Sequence, residues 1–280
     1  MLASVLFFSL MDAGLKALST HYPPFQIAAL RGASSLPFVL VWALATVGPM
    51  RLLQVRWSLH LMRGVMGVLM MAAFVYALRT LPLSTAYTIF FVAPLLITAL
   101  SVPVLGMKVG PRRWIAIAIG FVGVLVVLRP TGEGVMTLAG LAVLLSALGY
   151  SVSAITVRVL ARTDSTQAIV VWLLAFIALG AGALALPDWR PVAGTDVWLI
   201  AGIGVAGALG QYTVTEAFRQ GEASLIAPLE YTALFWGLIL DWSLWQIQPD
   251  GVTWVGAAII VFSGLYLLRR ERVHMEAERP

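Results

Sequence analysis

From Leu2 almost to the C-terminus, stretches of about twenty apolar residues follow one another, separated by breakers only a few residues long. A bilayer core of about 30 Å asks for roughly 20 apolar residues per helical crossing. On that measure spans fall at 2–19, 25–46, 61–79, 83–105, 112–129, 138–158, 166–186, 196–218, 224–245 and 252–268. Between them stand His21-Tyr22-Pro23-Pro24, Gly48-Pro49, Leu81-Pro82, Gly110-Pro111, Arg129-Pro130-Thr131-Gly132, Pro187-Asp188, Gln220-Gly221 and Pro249-Asp250-Gly251, all helix-breaking or turn-forming sequences. Of 280 residues, 60% are hydrophobic and 11% charged, and the mean hydropathy is +0.93. A water-soluble chain of this length needs far more charge to cover its surface. The expected fold class is an all-α membrane protein with ten transmembrane helices and no sizeable soluble domain.

No cleavable signal peptide is expected ahead of the first apolar run, which begins at Met1. There is no cysteine, so thiolate metal sites, disulfides and Cys nucleophiles are excluded. The net charge of +5 does not point to nucleic acid. The cations sit singly or in pairs at the ends of apolar runs, where they read as topology signals. With both termini in the cytoplasm, that side carries thirteen: Arg51, Arg56, Arg63, Lys108, Arg112, Arg113, Arg158, Arg162, Arg219, Arg269, Arg270, Arg272 and Arg279. The other side carries four, Lys16, Arg79, Arg129 and Arg190, and Arg31 lies within a span. This bias predicts a multi-pass bacterial inner-membrane protein with cytoplasmic termini. Trp57, Trp114, Trp189, Trp198, Trp245 and Trp254 fall near span ends, as interfacial anchors do.

The chain also repeats itself at an offset of 140 residues. Gly64, Val65, Gly67 and Leu69 recur as Gly204, Val205, Gly207 and Leu209; Ala77, Arg79 and Ser84 recur as Ala217, Arg219 and Ser224. Ala93, Leu100, Trp114, Ala118, Ile119, Leu125, Leu128 and Arg129 also match 140 positions on, making fifteen identities over 66 positions without a gap. About half as many are expected by chance in so apolar a chain, and the Trp and Arg matches weigh most. Two halves, 1–134 and 135–280, follow, each of five spans. An odd number of spans obliges the second half to enter from the opposite face, giving inverted repeats about a shared cleft. The loops at 51–63 and 108–113 carry six basic residues, while their counterparts at 187–197 and 246–253 carry only Arg190.

Several stretches resemble the drug/metabolite transporter superfamily in its EamA-type branch. In the first half these are Phe74 to Tyr87 (FVYALRTLPLSTAY), Val92-Ala93-Pro94 and Gly110 to Gly123 (GPRRWIAIAIGFVG). In the second half they are Ala223 to Trp236 (ASLIAPLEYTALFW) and Gly256 to Arg269 (GAAIIVFSGLYLLR). Phe8 to Lys16 (FSLMDAGLK) and Gln26 to Arg31 (QIAALR) add to it, so the resemblance covers essentially the whole chain. It implies ten helices and export of amino acids, drugs or other metabolites, the YddG-like amino-acid exporters being the nearest functional analogue. Many members end the fourth helix with Gly-Glu; this chain has Gly106-Met107 there, so no role for that acid carries over.

An ionisable group inside a span costs about 2.5–3.5 kcal/mol on insertion scales and needs a reason. Asp12 lies just past the middle of the first span, Arg31 about two turns inside the second, and Glu230 in the ninth beside Pro228. Asp12 and Arg31 form either a structural ion pair or contacts to a cargo ammonium or carboxylate. Glu230 holds a helix neighbour, a cargo amine or a proton. Lys16 and Arg79 are expected to snorkel to the outer interface, and Glu216 to pair with Arg219. Tyr76, Tyr87, Phe90, Phe91, Tyr150, Trp172, Tyr212, Tyr231 and Trp236 lie away from the span ends, where phenols and indoles need partners or a wet cavity. Ser9, Ser146, Ser151, Ser153, Gln211 and Thr213 add uncharged donors and acceptors. Pro94 interrupts the fourth helix, freeing a carbonyl or making a bend. Gly202-Ala206-Gly210 and Ala116-Gly120 are read as packing grooves. The expected cargo site is therefore Ser9, Asp12, Tyr76, Tyr87, Phe90, Phe91, Pro94, Tyr150, Gln211, Tyr212, Glu230, Tyr231 and Trp236.

An embedded enzyme is disfavoured: the histidines, His21, His60 and His274, read as loop or tail residues, and neither HExxH nor a phosphate loop occurs. No repeated filter element speaks for a pore. A nucleotide-sugar carrier would need deep cations, and Arg31 alone qualifies. The expected activity is export of amino acids, aromatic or hydrophobic ones among them, and related small metabolites. Drugs and nucleotide-sugar-like metabolites are the alternative cargo. The expected partners are that cargo and lipid, without nucleic acid, metal or cofactor.

Overall fold

The structure, a computed structural model, describes residues 1–105, 111–128, 138–220 and 227–277. Gly110, the Arg129 to Gly132 breaker, Gly221, the Gly106-Met107 pair, Lys108, Arg279 and the boundary at 134/135 lie outside the described residues, as do the side chains of Arg112, Arg113, Pro228, Arg269, Arg270, Arg272 and His274.

The chain forms α1 (Leu2–Leu18), α2 (Pro24–Thr46), a short α3 (Gly48–Leu53), α4 (Trp57–Leu78), α5 (Leu83–Phe90), α6 (Ala93–Leu105), α7 (Pro111–Leu128), α8 (Leu138–Leu160), α9 (Thr166–Ala185), α10 (Val197–Gln220), α11 (Thr232–Trp245) and α12 (Gly251–Ala277). A 3-10 turn, Ala227–Tyr231, leads into α11. No strand occurs among the described residues. Among the described residues six stretches are long and apolar enough to cross a membrane: Pro24–Thr46, Trp57–Leu78, Leu83–Val104, Leu138–Leu160, Thr166–Asp188 and Gly194–Gln220. The other four stretches read as spans correspond to α1, α7, α11 with its 3-10 lead, and α12.

The breakers act where their chemistry allows. Pro24 stands in the first turn of α2, where a missing N–H costs nothing. Ser165 caps α9, its Oγ accepting from Ala168 N at 3.2 Å. Gln246, in the left-handed region at φ 55, ends α11 with its N–H on Asp241 and Trp242 carbonyls. The fourth span is two helices, broken at Phe91 and Val92. Pro94 falls in the first turn of α6, where it is tolerated, and the Ala93 carbonyl beside it accepts from Ser151 Oγ at 3.1 Å.

Hydrogen bonds sort the loops into two ends. At one, Arg79 donates to the carbonyls of Ser19 and Tyr22, Tyr22 Oη to Asp196, and Gln26 to the Arg190 carbonyl. At the other, the Arg56 amide and His60 reach Asp164, Gln167 reaches Thr46, and Trp172 reaches the Leu52 carbonyl. Thus α1 ends at the first end and α8 at the second.

Packing between the halves follows a rule of exchange. Match α1, α2, α4, α5 with α6, and α7 to α8, α9, α10, α11 and α12. Then α2 packs on its counterpart α9 and α7 on its counterpart α12. The pair α1 with α10 is mirrored by α8 with α4, α2 with α10 by α9 with α4, and α6 with α8 by α11 with α1. Two approaches are closed by missing side chains. A Cβ on Gly32 would lie 2.7 Å from the Ala178 backbone nitrogen, and one on Gly204 would lie 2.6 Å from the Ser34 carbonyl oxygen. The small-residue groove on α10 therefore runs through Gly204, Gly207 and Gly210; Gly202, read as part of it, meets nothing within 4 Å.

Candidate functional site

α1, α4, α5, α8 and α10 leave a cleft between them whose empty space, its mouth included, is about 1090 Å³. It reaches the end where Met1, Val157 and Phe218 lie and runs inward to Asp12, Arg31 and Tyr87. Its walls are mostly apolar, with Phe8, Met70, Met71, Phe74, Phe90, Phe91 and Leu173. Ser9, Asp12, Arg31, Arg63, Ser146, Tyr150, Ser153, Gln211 and Glu230 supply the polar points. Among the described residues no cluster of His, Cys, Asp or Glu is placed to hold a metal ion.

The two carboxyls are each held by a phenol. Tyr87 Oη donates to Asp12 Oδ2 at 2.9 Å, and Tyr150 Oη to Glu230 Oε1 at 2.8 Å. Rings connect the two pairs. Phe74 stacks on Tyr87 at 6.4 Å and meets Phe90 edge-on at 5.9 Å; Phe90 in turn lies 5.3 Å from Tyr150. One wall is thus an aromatic ladder with an acid at either end. Such a surface takes a flat or greasy body along its length, with polar groups fixing its ends.

The two cations differ. Arg63, 3% exposed, donates from Nε to Ser153 Oγ at 2.9 Å and from Nη1 to the Ile169 carbonyl at 2.7 Å. Arg31, also 3% exposed, places Nε 3.1 Å from Met11 Sδ, and its Nη1 has no hydrogen-bond partner. It makes no ion pair within 4 Å of Asp12.

Beyond the cleft, at the end away from Met1, a buried network fills the bundle. Asp241, 0% exposed, accepts from Lys16 Nζ at 3.0 Å, from the amides of Leu83 and Ser84 at 3.0 and 2.7 Å, and from Ser84 Oγ at 2.7 Å. Lys16 Nζ also lies 4.5 Å over the Trp245 ring. A carboxylate from α11 thereby caps α5 and neutralises a lysine of α1.

Of the thirteen residues expected at the site, Ser9, Asp12, Tyr87, Phe90, Phe91, Tyr150, Gln211 and Glu230 line this one cleft. Tyr231 is buried against Phe91, behind the lining, with its Oη unpartnered. Pro94 is buried in the α5–α6 break, outside the lining. Tyr76 is 40% exposed, Tyr212 is 38% exposed and meets Trp42 edge-on, and Trp236 packs on Phe235; these three do not reach it. Trp172 sits against Trp57 and Phe176 at the loop end. Phe74 takes the place expected of Tyr76, two residues on and so on another face of α4. Lys16 does not snorkel but pairs with Asp241, a residue that sequence reasoning passed over although an acid inside Leu-Ile-Leu-Asp-Trp was signal enough. Arg63, read as a loop cation, and His60, read as a loop histidine, are both buried in α4. Arg79 binds loop carbonyls at its end, and Glu216 pairs with Arg219 at 3.2 Å.

The model of the EamA-like transporter family matches this chain twice, over residues 1–129 and 137–270. The chain belongs to that family. A riboflavin transporter from Vibrio cholerae is 30% identical over 286 residues, covering 100% of this chain and 95% of that protein. A pseudopaline exporter from Pseudomonas aeruginosa is 28% identical over 95% of this chain and 93% of its own length. An S-adenosylmethionine uptake transporter from Rickettsia prowazekii is 25% identical over 99% and 94%. One crystal structure superposes with a TM-score of 0.67 over 94% of this chain and 95% of the other, at 23% identity, a likeness of fold. As an EamA-family protein, the chain is a multi-pass membrane transporter of small molecules, and the family and these relatives are named for transport.

Proposed function

We propose that this protein is a secondary-type exporter of amino acids, aromatic and hydrophobic ones among them, and of related amphipathic metabolites, working by alternating access. In this reading ten spans form halves 1–134 and 135–280, inverted about an axis in the membrane plane, with both termini in the cytoplasm of a bacterial plasma membrane. The exchange of contacts between the halves, the opposite endings of α1 and α8, and the double family match support the inversion. Arg51, Arg56 and Arg162 at the end that carries Met1 support the orientation.

The observation that carries the cargo assignment is the cleft itself. It reaches the Met1 end, it is stopped by the Lys16–Asp241 network at the other, and it pairs a ring-lined wall with two carboxyls. A cleft of that kind, facing the cytoplasm, is the loading state of an exporter for zwitterions with an apolar body. A second reading, a neutral aromatic vitamin as cargo, is favoured by the full-length similarity to a riboflavin transporter and by the same ladder of rings.

Purified protein in liposomes, loaded in turn with labelled tryptophan, phenylalanine, leucine and riboflavin, tests both. Flux is read in each direction, because an exporter and an uptake transporter both stand among the relatives. Saturable tryptophan flux above empty liposomes is expected, and a run with a pH gradient decides proton coupling. Riboflavin flux without amino-acid flux replaces the first reading by the second, and no flux across the panel sinks both.

A further inference from the structure

Inside the cleft one buried cation leaves a terminal nitrogen without a hydrogen-bond partner: Arg31, at Nη1. Arg31 is 3% exposed and belongs to the lining of the cleft. Buried donors are almost always paired, and an orphaned one needs an account. Arg63 shows what a structural arginine looks like in this protein, with Nε and Nη1 spent on Ser153 and the Ile169 carbonyl. Arg31 has instead only a thioether on Nε, an acceptor too weak to satisfy a guanidinium, and Asp12, near enough to act on it by charge, makes no hydrogen bond to it.

We propose that the Arg31 guanidinium is an oxyanion subsite that takes the carboxylate of the cargo. The guanidinium fork matches a carboxylate and supplies the charge-assisted bond that the fold leaves unmade. The ring ladder then carries the apolar body toward Glu230. This rests on the transporter reading of the cleft and narrows it: carboxylated solutes are cargo in preference to neutral ones of the same shape.

A matched pair of probes isolates the charge. Indole-3-acetate and tryptamine share an indole and differ in carrying a carboxylate or an ammonium. Their binding to the purified protein in lipid nanodiscs is measured by calorimetry for wild type, Arg31→Gln and Arg31→Lys. Arg31→Gln is expected to weaken indole-3-acetate tenfold or more relative to its effect on tryptamine, and Arg31→Lys to recover part of that loss. Equal weakening of both probes would mean that Arg31 only shapes the cleft, and no change would place the carboxylate elsewhere; either overturns the subsite. Should Arg31→Gln not yield folded protein, Arg31→Met gives the same differential readout. Wild type that fails to bind indole-3-acetate refutes the subsite outright. Wild type that binds it yet carries no labelled amino acid into liposomes refutes only the cargo assignment above.

Discussion

The two halves present the same chemistry to the cleft by opposite means. In the first, the acid is on the leading helix and the phenol on the fourth, Asp12 and Tyr87; in the second, the phenol leads and the acid follows, Tyr150 and Glu230. At the offset of 140 the counterparts of these four residues are Val152, Ala227, Leu10 and Phe90. None of these four is an acid or a phenol, so the two acid–phenol contacts are not related by the repeat. The arginines diverge further: Arg63 is tied into its half, and Arg31 is left with a free donor.

That contrast can be broken most directly by stability. Arg63→Met strands Ser153 Oγ and the Ile169 carbonyl in the interior and should lower unfolding free energy by about 3 kcal/mol. Arg31→Met removes an orphan and should change it by less than about 1 kcal/mol. Melting of the purified variants in detergent reads both, and equal losses would erase the distinction between a structural and a functional arginine. The acid–phenol pairs come next. Tyr87→Phe and Tyr150→Phe each leave a carboxyl short of one donor, at about 1–2 kcal/mol, and should each slow cargo flux about three- to tenfold. A slowdown in only one of them would make the cleft chemically one-sided.

The smallest effect concerns the loop end. Burial alone raises the Asp164 carboxyl, but hydrogen bonds from Thr163 Oγ1, His60 Nε2 and the Arg56 amide outweigh it and hold its pKa below the ordinary 3.8. A lowered folded pKa gives stability that is present above the unfolded value and lost as pH falls through the folded one. Melting temperature should thus drop below about pH 4, and Asp164→Asn should flatten that part of the profile. A profile unchanged by the substitution would remove Asp164 from the stabilising groups.

Helices and breakers were legible because length, Pro and Gly speak locally. Residues whose depth decides their role, such as Asp12, Glu230, Tyr87 and Tyr150, were legible too, since a polar group far from either span end must find a partner. Rotation about a helix axis was not. A soluble helix marks its inner face by polarity on the outer one; here lipid accepts apolar residues all round, so nothing told Phe74 from Tyr76 or turned Tyr212 and Trp236 outward. Distance from a span end likewise failed for Lys16 and Arg63. Long cations placed a turn or two inside a span reach either water or a buried acceptor, and only the neighbouring helices, through Asp241 and Ser153, decide which.

The contact of α2 with α9 joins a helix to its own counterpart, and at Gly32 it leaves no room for even a methyl group against the Ala178 backbone. If the halves rock against each other as proposed above, such a seam, like that of α7 with α12, lies on the axis and would move least while the outlying helices swing; Gly32 would set the spacing there.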